Sequence, residues 1–242
     1  MRKLLYLILL FAFFFSLSSQ AQTADAQKAA LRQWKAGTVV SEQAVKAFGV
    51  DHCFSQVPLP DAVFARMQGR SYPSGCTVKR SELRYVRVLH YDLEGRIHIG
   101  ELVCNRLIAD DLVSIFKQLY LHRYPIERMM LIDNYAASDE QSMRSNNTSC
   151  FCYRTVKGQR TLSRHAEGRA IDINPLYNPY VKVYRNGKRK IQPSNAARYL
   201  DRDADFPYKI TKQSLVYRLF IQHGFKWGGA WRSLKDYQHF EK

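Results

Sequence analysis

The stretch SRHAEGRAIDINP spans residues 163–175, and the rest of the chain is read outward from it. Successive side chains of a strand point to opposite faces, so alternation in RAIDIN puts Ile171 and Ile173 on one face and Asp172 on the other. The two isoleucines can anchor a short strand in a core while the carboxylate faces a cleft. His165 lies seven residues before Asp172, and Gly168 between them lets the backbone turn sharply. A partner is on offer at the end of the chain, where KDYQHFEK (235–242) carries His239 and, three residues ahead of it, Asp236.

Imidazole and carboxylate are both good zinc ligands, and a catalytic zinc takes three protein ligands and keeps one position open for water. His165, Asp172 and His239 would make such a set. Asp236 would then be tethered close to the metal without ligating it, where a carboxylate can take a proton from water and pass it to a leaving amine. That arrangement demands a turn or bulge between 236 and 239, because in a regular strand the two side chains would face opposite ways. On spacing alone, duller assignments stand beside this one. Asp172 could cap a turn and Asp236 could be an exposed charge, while His52, His90, His98, His122 and His223 read as surface or core residues.

The other elements point to an α+β domain with a mainly antiparallel central sheet flanked by helices. LRYVRVLHY (83–91) and RIHIGELVC (96–104) alternate around DLEG and predict a hairpin. Ile108, Leu112, Ile115, Phe116 and Leu119 fall at helical spacing within 107–121. Segments 128–135 and 149–156 read as further strands. Asn186-Gly187 predicts a second hairpin closed by a tight type I′ turn. A helix over 212–223 has Leu215, Val216, Leu219 and Phe220 on one side and Gly224 as its stop.

The N-terminus has the layout of a secretory signal peptide. Arg2 and Lys3 precede an apolar run of about 14 residues, short for a membrane span of about 20, and small residues follow with a cut expected after Ala21. Such a cut would leave 221 of the 242 residues and take away Arg2 and Lys3, lowering the formal charge from +16 to +14. The expected layout is a signal at 1–21, a helical or flexible, loosely attached segment at 22–53, and a single catalytic domain over 54–242. The mature protein would be periplasmic or secreted, without a stable membrane span, and a monomer. Its charge favours polyanions in general. Cys53, Cys76, Cys104, Cys150 and Cys152 would sit in an oxidising compartment, with Cys53 and Cys76 the first candidate pair.

SRHAEGRAIDINP resembles the S-x-H-x-x-G-x-A-x-D signature of the VanY-type D-alanyl-D-alanine carboxypeptidase family of zinc peptidases, and KDYQHF resembles its closing D/E-x-x-H motif. YPIERMMLIDNY, SMRSNNTSCFCYR, NPLYNPYV and GFKWGGAW look like one branch of that family, so the resemblance runs from about residue 54 to the C-terminus. It implies that His165, Asp172 and His239 bind Zn2+ and that Asp236 is the general base. It also implies an arginine that steadies the oxyanion. The usual S-G-Y-R-S context is missing here, so Arg154 is the first choice and Arg144 the competitor. Ser163 resembles a substrate-contacting serine, although its hydroxyl could equally hold the loop by bonding backbone. Trp231 and Tyr237, with Trp227 and Phe240, either wall the cleft or belong to the core.

The implied function is hydrolysis of peptide bonds in peptidoglycan stem peptides, as a D-alanyl-D-alanine carboxypeptidase or an L-alanyl-D-glutamate endopeptidase, with no nucleic-acid partner. A non-catalytic wall-binding module on the same fold is one rival, and a secreted metal-dependent nuclease is another. The nuclease would also account for the basic charge, and would show strongly salt-dependent affinity for DNA.

Overall fold

The computed structural model describes residues 23–155 and 161–242. The signal-peptide reading of 1–21 and the expectation for residue 156 lie outside them. A helix over 23–33 (α1) leads into β1 (Val39–Val40) and α2 (Glu42–Phe48). There follow β2 (Ser55–Pro58), α3 (Asp61–Met67), β3 (Leu83–Tyr91) and β4 (Ile97–Asn105). These strands form an antiparallel sheet in the order β1-β4-β3-β2. The predicted hairpin is β3–β4, registered from Leu83 opposite Asn105 to Tyr91 opposite Ile97. Its turn is set by Asp92, whose Oδ1 accepts the amides of Glu94 and Arg96, and by Gly95 at φ +76°. Helix α4 (Ala109–Leu121) packs on this sheet through Leu112, Ile115, Phe116 and Leu119, the face its spacing predicted.

Residues 22–53 were expected to be loosely attached, but the described part is built into the core. Leu31, Trp34, Val40 and Val45 are buried in the same apolar cluster as the sheet. The Trp34 indole donates to Gly100 O at 2.9 Å, and β1 extends the sheet along β4 through Val40 opposite Ile97. Leu31 lies in the last turn of α1 and Trp34 just past its end, at φ +52°, while β1 supplies partners for the polar groups along the edge of β4.

The second half of the chain is divided into smaller sheets. Strands β5 (Arg128–Met129) and β6 (Asn147–Thr148) are a parallel pair, with α5 (Asp139–Arg144) between them in sequence. Then come β7 (Ala170–Asp172), β8 (Tyr180–Val183), β9 (Arg189–Gln192) and α6 (Leu215–Gln222). The chain closes with β10 (Lys226–Trp227), β11 (Lys235–Asp236) and β12 (His239–Glu241). Their orders are β10-β12-β7 and β11-β8-β9, all antiparallel. The fold is α+β with mostly antiparallel pairing, and its sheet is broken into pieces rather than continuous. No helix among the described residues is long and apolar enough to cross a membrane.

Three local expectations are corrected. Segment 128–135 is a strand only at β5, and Ile132–Tyr135 is a 3-10 turn. The stretch after Ser149 is not a ladder strand, because its amides are spent on separate partners: Phe151 on Val103 O, Cys152 on His165 O and Tyr153 on Ser71 O. The β8–β9 hairpin forms, but with three residues in its loop. Tyr184 pairs with Lys188, the Gly187 amide returns to Tyr184 O, and Gly187 alone takes a positive φ, +78°. That is a type I turn followed by a left-handed residue. All five thiols are free, so the Cys53–Cys76 pair is not formed. Cys53 lies against Gly49 O, and burial pushes its thiol up to about 12.

Trp34→Ala should lower unfolding stability by about 3–5 kcal/mol in urea titration, the usual cost of emptying a buried aromatic site. A change below about 0.5 kcal/mol, as at a surface site, would mean the N-terminal segment is not part of the cooperative unit.

Candidate metal centre

The site begins as a strand register. In the β12–β7 pair, His239 stands opposite Asp172 and Phe240 opposite Ile171. Directly opposed residues share a face, so burial of Ile171 and Phe240 on one side turns Asp172 and His239 together on the other. His239 Nδ1 and Asp172 Oδ1 are 3.0 Å apart. His165 arrives on the loop before β7. Gly168 in that loop has φ +67°, and a Cβ there would lie 2.7 Å from the Asn105 amide nitrogen. Glycine is therefore required both by conformation and by the close approach to the end of β4, where Asn105 N donates to Gly168 O at 2.8 Å. So held, His165 Nε2 lies 3.2 Å from His239 Nδ1 and 3.3 Å from Asp172 Oδ1.

Outer partners decide which nitrogen of each ring faces inward. His165 Nδ1 is 2.6 Å from Cys150 O, a carbonyl that can only accept, so Nδ1 carries the hydrogen and Nε2 turns a lone pair inward. His239 Nε2 meets Glu241 Oε2 at 3.2 Å, which leaves Nδ1 as the inward atom. Two ring lone pairs and a carboxylate oxygen thus converge in a buried place with no donor among them. Such a set asks for a positive charge. Burial opposes a proton on His239, but the hydrogen bonds to Asp172 and Glu241 outweigh it and raise the pKa to about 10. Against the push of burial, His165 and His239 hold the Asp172 carboxyl far below the ordinary range. Among the described residues, these three donors form the group that could hold a metal ion.

Asp236 meets the demand for a turn. Its strand β11 pairs with β8, whereas β12 pairs with β7, and the chain changes sheets at Tyr237 and Gln238. Asp236 Oδ1 is buried without a hydrogen-bond partner. Burial pushes its carboxyl up to about 6, with His239 pulling it down and Asp172 adding to the rise. A Cβ on Gly228 would lie 2.8 Å from Asp236 Cβ and 3.3 Å from His239 Cβ, so this glycine lets the 3-10 turn Gly228–Ala230 press on the closing motif.

The remaining candidates divide. Arg154 forms an ion pair through Nε with Asp139, and its guanidinium is close enough to Asp172 to feel its charge. Arg144 is exposed and tied to Ser194 Oγ at 3.0 Å. Ser163 Oγ accepts the His165 amide at 3.2 Å, which is the loop-holding role. The Trp231 ring lies 5.3 Å from the His239 ring, tilted by 53°. Tyr237 packs on Trp227 and under the Arg202 guanidinium. Glu241 was not anticipated. Its signal was legible as H-x-E on a strand, where alternate residues share a face.

Residues 157–242 match the D-alanyl-D-alanine carboxypeptidase family. That span carries all three candidate donors and Asp236. It is narrower than the resemblance expected from residue 54. No curated protein and no solved structure matches the chain.

Removing the outer carboxylate with Glu241→Ala should weaken divalent-metal binding about 10–100-fold in chelator competition; unchanged affinity would leave Glu241 without an orienting role. Asp236 supplies a stability test with a definite sign. Its folded pKa lies above the ordinary 3.8, so ionisation is resisted in the fold and stability falls as pH rises through about 6. In metal-stripped protein, Asp236→Asn should therefore be more stable than the parent at pH 7 by about 2–3 kcal/mol, with the gap closing below pH about 4. Equal stability at both pH values in denaturant titrations would show that the carboxylate is not strained.

Proposed function

We propose that this chain is an exported zinc peptidase that hydrolyses peptide bonds in peptidoglycan stem peptides. The observation that carries the reading is the convergence of His165 Nε2, Asp172 Oδ1 and His239 Nδ1, with the Asp236 carboxylate three residues from the last donor. Donors about 2.1 Å from one tetrahedral ion stand about 3.4 Å apart, and the separations here are 3.0–3.3 Å. Two imidazoles and one carboxylate are a donor set typical of zinc, and a zinc ion held by them would lower the pKa of a water and polarise a carbonyl.

The chain's own residues supply the rest. Asp236, with a free Oδ1 and a pKa raised by burial, is suited to accept a proton from the attacking water and to deliver it to the departing amine. Keeping the base near neutrality is what allows it to do both. Arg154, held charged beside Asp139, offers its remaining N–H groups to the oxyanion. Trp231 shields the His239 side from solvent.

The test is digestion of purified peptidoglycan by the zinc-loaded protein beside a chelated control, read by mass spectrometry. Loss of terminal D-alanine or a cut within the stem, seen only with metal, is expected and names the bond. Intact muropeptides from folded, zinc-containing protein would overturn the reading. Asp236→Asn should lower turnover about 10²–10⁴-fold while zinc is retained, and Arg154→Ala should lower it about 10²–10³-fold. Loss of turnover in Arg144→Ala, with Arg154→Ala active, would exchange the two arginines.

A further inference from the structure

Two buried oxygens in the closing motif lack the donor they are made to receive. Among the described residues, the buried side-chain oxygens that can only accept and have no hydrogen-bond partner are Asp236 Oδ1 and Gln238 Oε1. They belong to residues two apart, on the segment where the chain passes from β11 to β12. Gln238 is 2% exposed, so water does not stand in for the missing donor. An orphaned carbonyl in such a place is costly.

The register takes only the main chain of Gln238. Its carbonyl oxygen accepts Ile173 N at 3.0 Å, and just ahead of it Tyr237 N donates to Pro179 O. An apolar side chain of the same length would leave these bonds in place and orphan no oxygen. The side chain does have a neighbour that orients it. Burial raises the Asp236 carboxyl, and hydrogen bonding from the Gln238 side chain is among the effects that pull it back. A carboxylate only accepts, so Gln238 presents its NH2 to Asp236 and keeps a carbonyl oxygen without a donor. That donor has to come from outside the fold, beside the proposed base.

We propose that Gln238 Oε1 receives the N–H of the amide that is cut, which makes Gln238 a further catalytic residue and restricts the site to secondary amides. This rests on the peptidase reading of Asp236. As the attacking water oxygen bonds to the carbonyl carbon, Asp236 takes a proton from that water. The amide nitrogen becomes pyramidal, with its own hydrogen held by Gln238 and its lone pair turned to Asp236, which returns the proton. The C–N bond breaks and its electron pair stays on nitrogen. The product is a primary amine with one hydrogen from the substrate and one from the water. A bond before proline, an N-methylated bond and an ester offer no N–H at this point.

The experiment compares kcat/KM for a synthetic stem peptide with kcat/KM for the same peptide carrying an ester oxygen in place of the scissile N–H, in zinc-loaded parent and Gln238→Met. Partial loss of fold or of zinc lowers both values alike and leaves their ratio untouched. The amide-to-ester ratio should fall about 10–100-fold in Gln238→Met. It should fall in the same direction in Gln238→Asn, whose shorter side chain withdraws the carbonyl, and that variant decides if the methionine protein does not fold. An unchanged ratio, with a parent that cuts both substrates, would overturn the role of Gln238 and leave the peptidase reading standing. A folded, zinc-containing parent that cuts neither substrate would remove both.

Discussion

The register of β12 against β7 is the constraint on which the site depends. A slip of one residue would send His239 to the core face and Phe240 to the cleft, because side chains alternate along a strand. What prevents it is apolar: Ile171, Ile173 and Phe240 are fully buried, and Phe240 stacks on Phe220 of α6 with ring centroids 4.4 Å apart. The geometry of the three candidate donors is thus inherited from the hydrophobic core. The core spends only one face of a three-residue strand, and the other face is free for polar work. Helix α6 matters to the centre although it contributes no donor, since it is the floor against which the closing strand is registered.

The same arrangement concentrates unfavourable electrostatics. Asp172, Asp236 and Glu241 surround two buried imidazoles, and Asp236 has an oxygen with no hydrogen-bond partner. A fold selected for stability alone would not keep an unpartnered carboxylate there. The surrounding glycines fix its position at no enthalpic gain of their own: Gly168 lets the His165 loop lie on β4, and Gly228 lets a turn lie on the motif. Both are places where any side chain would push a donor or the base away from the others.

Much of this was legible in the sequence, for identifiable reasons. The β3–β4 hairpin and α4 were readable because long alternating or helical patterns are decided locally. The three donors were readable because flanking isoleucines fix which way Asp172 faces, and because the D-x-x-H spacing brings its own acid. The stretch after Ser149 was misread since its amides are distributed over β4, the His165 loop and Ser71, partners set by tertiary structure. The turn at Asn186-Gly187 was misread by one residue, for the dipeptide is compatible with two loop lengths and the Val183–Arg189 register selects the longer. Trp34 lay in a polar, alanine-rich segment, and nothing local announces that Gly100 O waits for its indole. Glu241 could have been found by asking what fixes the tautomer of a metal-facing histidine, a question of chemistry rather than of pattern.

The basic charge illustrates how far composition reaches. A formal +16 allows nucleic acid, lipid or wall polymer equally, and on its own it distinguishes none of them. Distribution carries more information than the total. Arg80 pairs with Asp61 and Arg123 with Glu42, and on the β8–β9 hairpin Lys182 stands opposite Lys190. The hairpin also borders the strand of Asp236, with Tyr180 directly opposite that residue. Where charge falls in the fold, rather than its sum, is therefore what a functional reading has to start from.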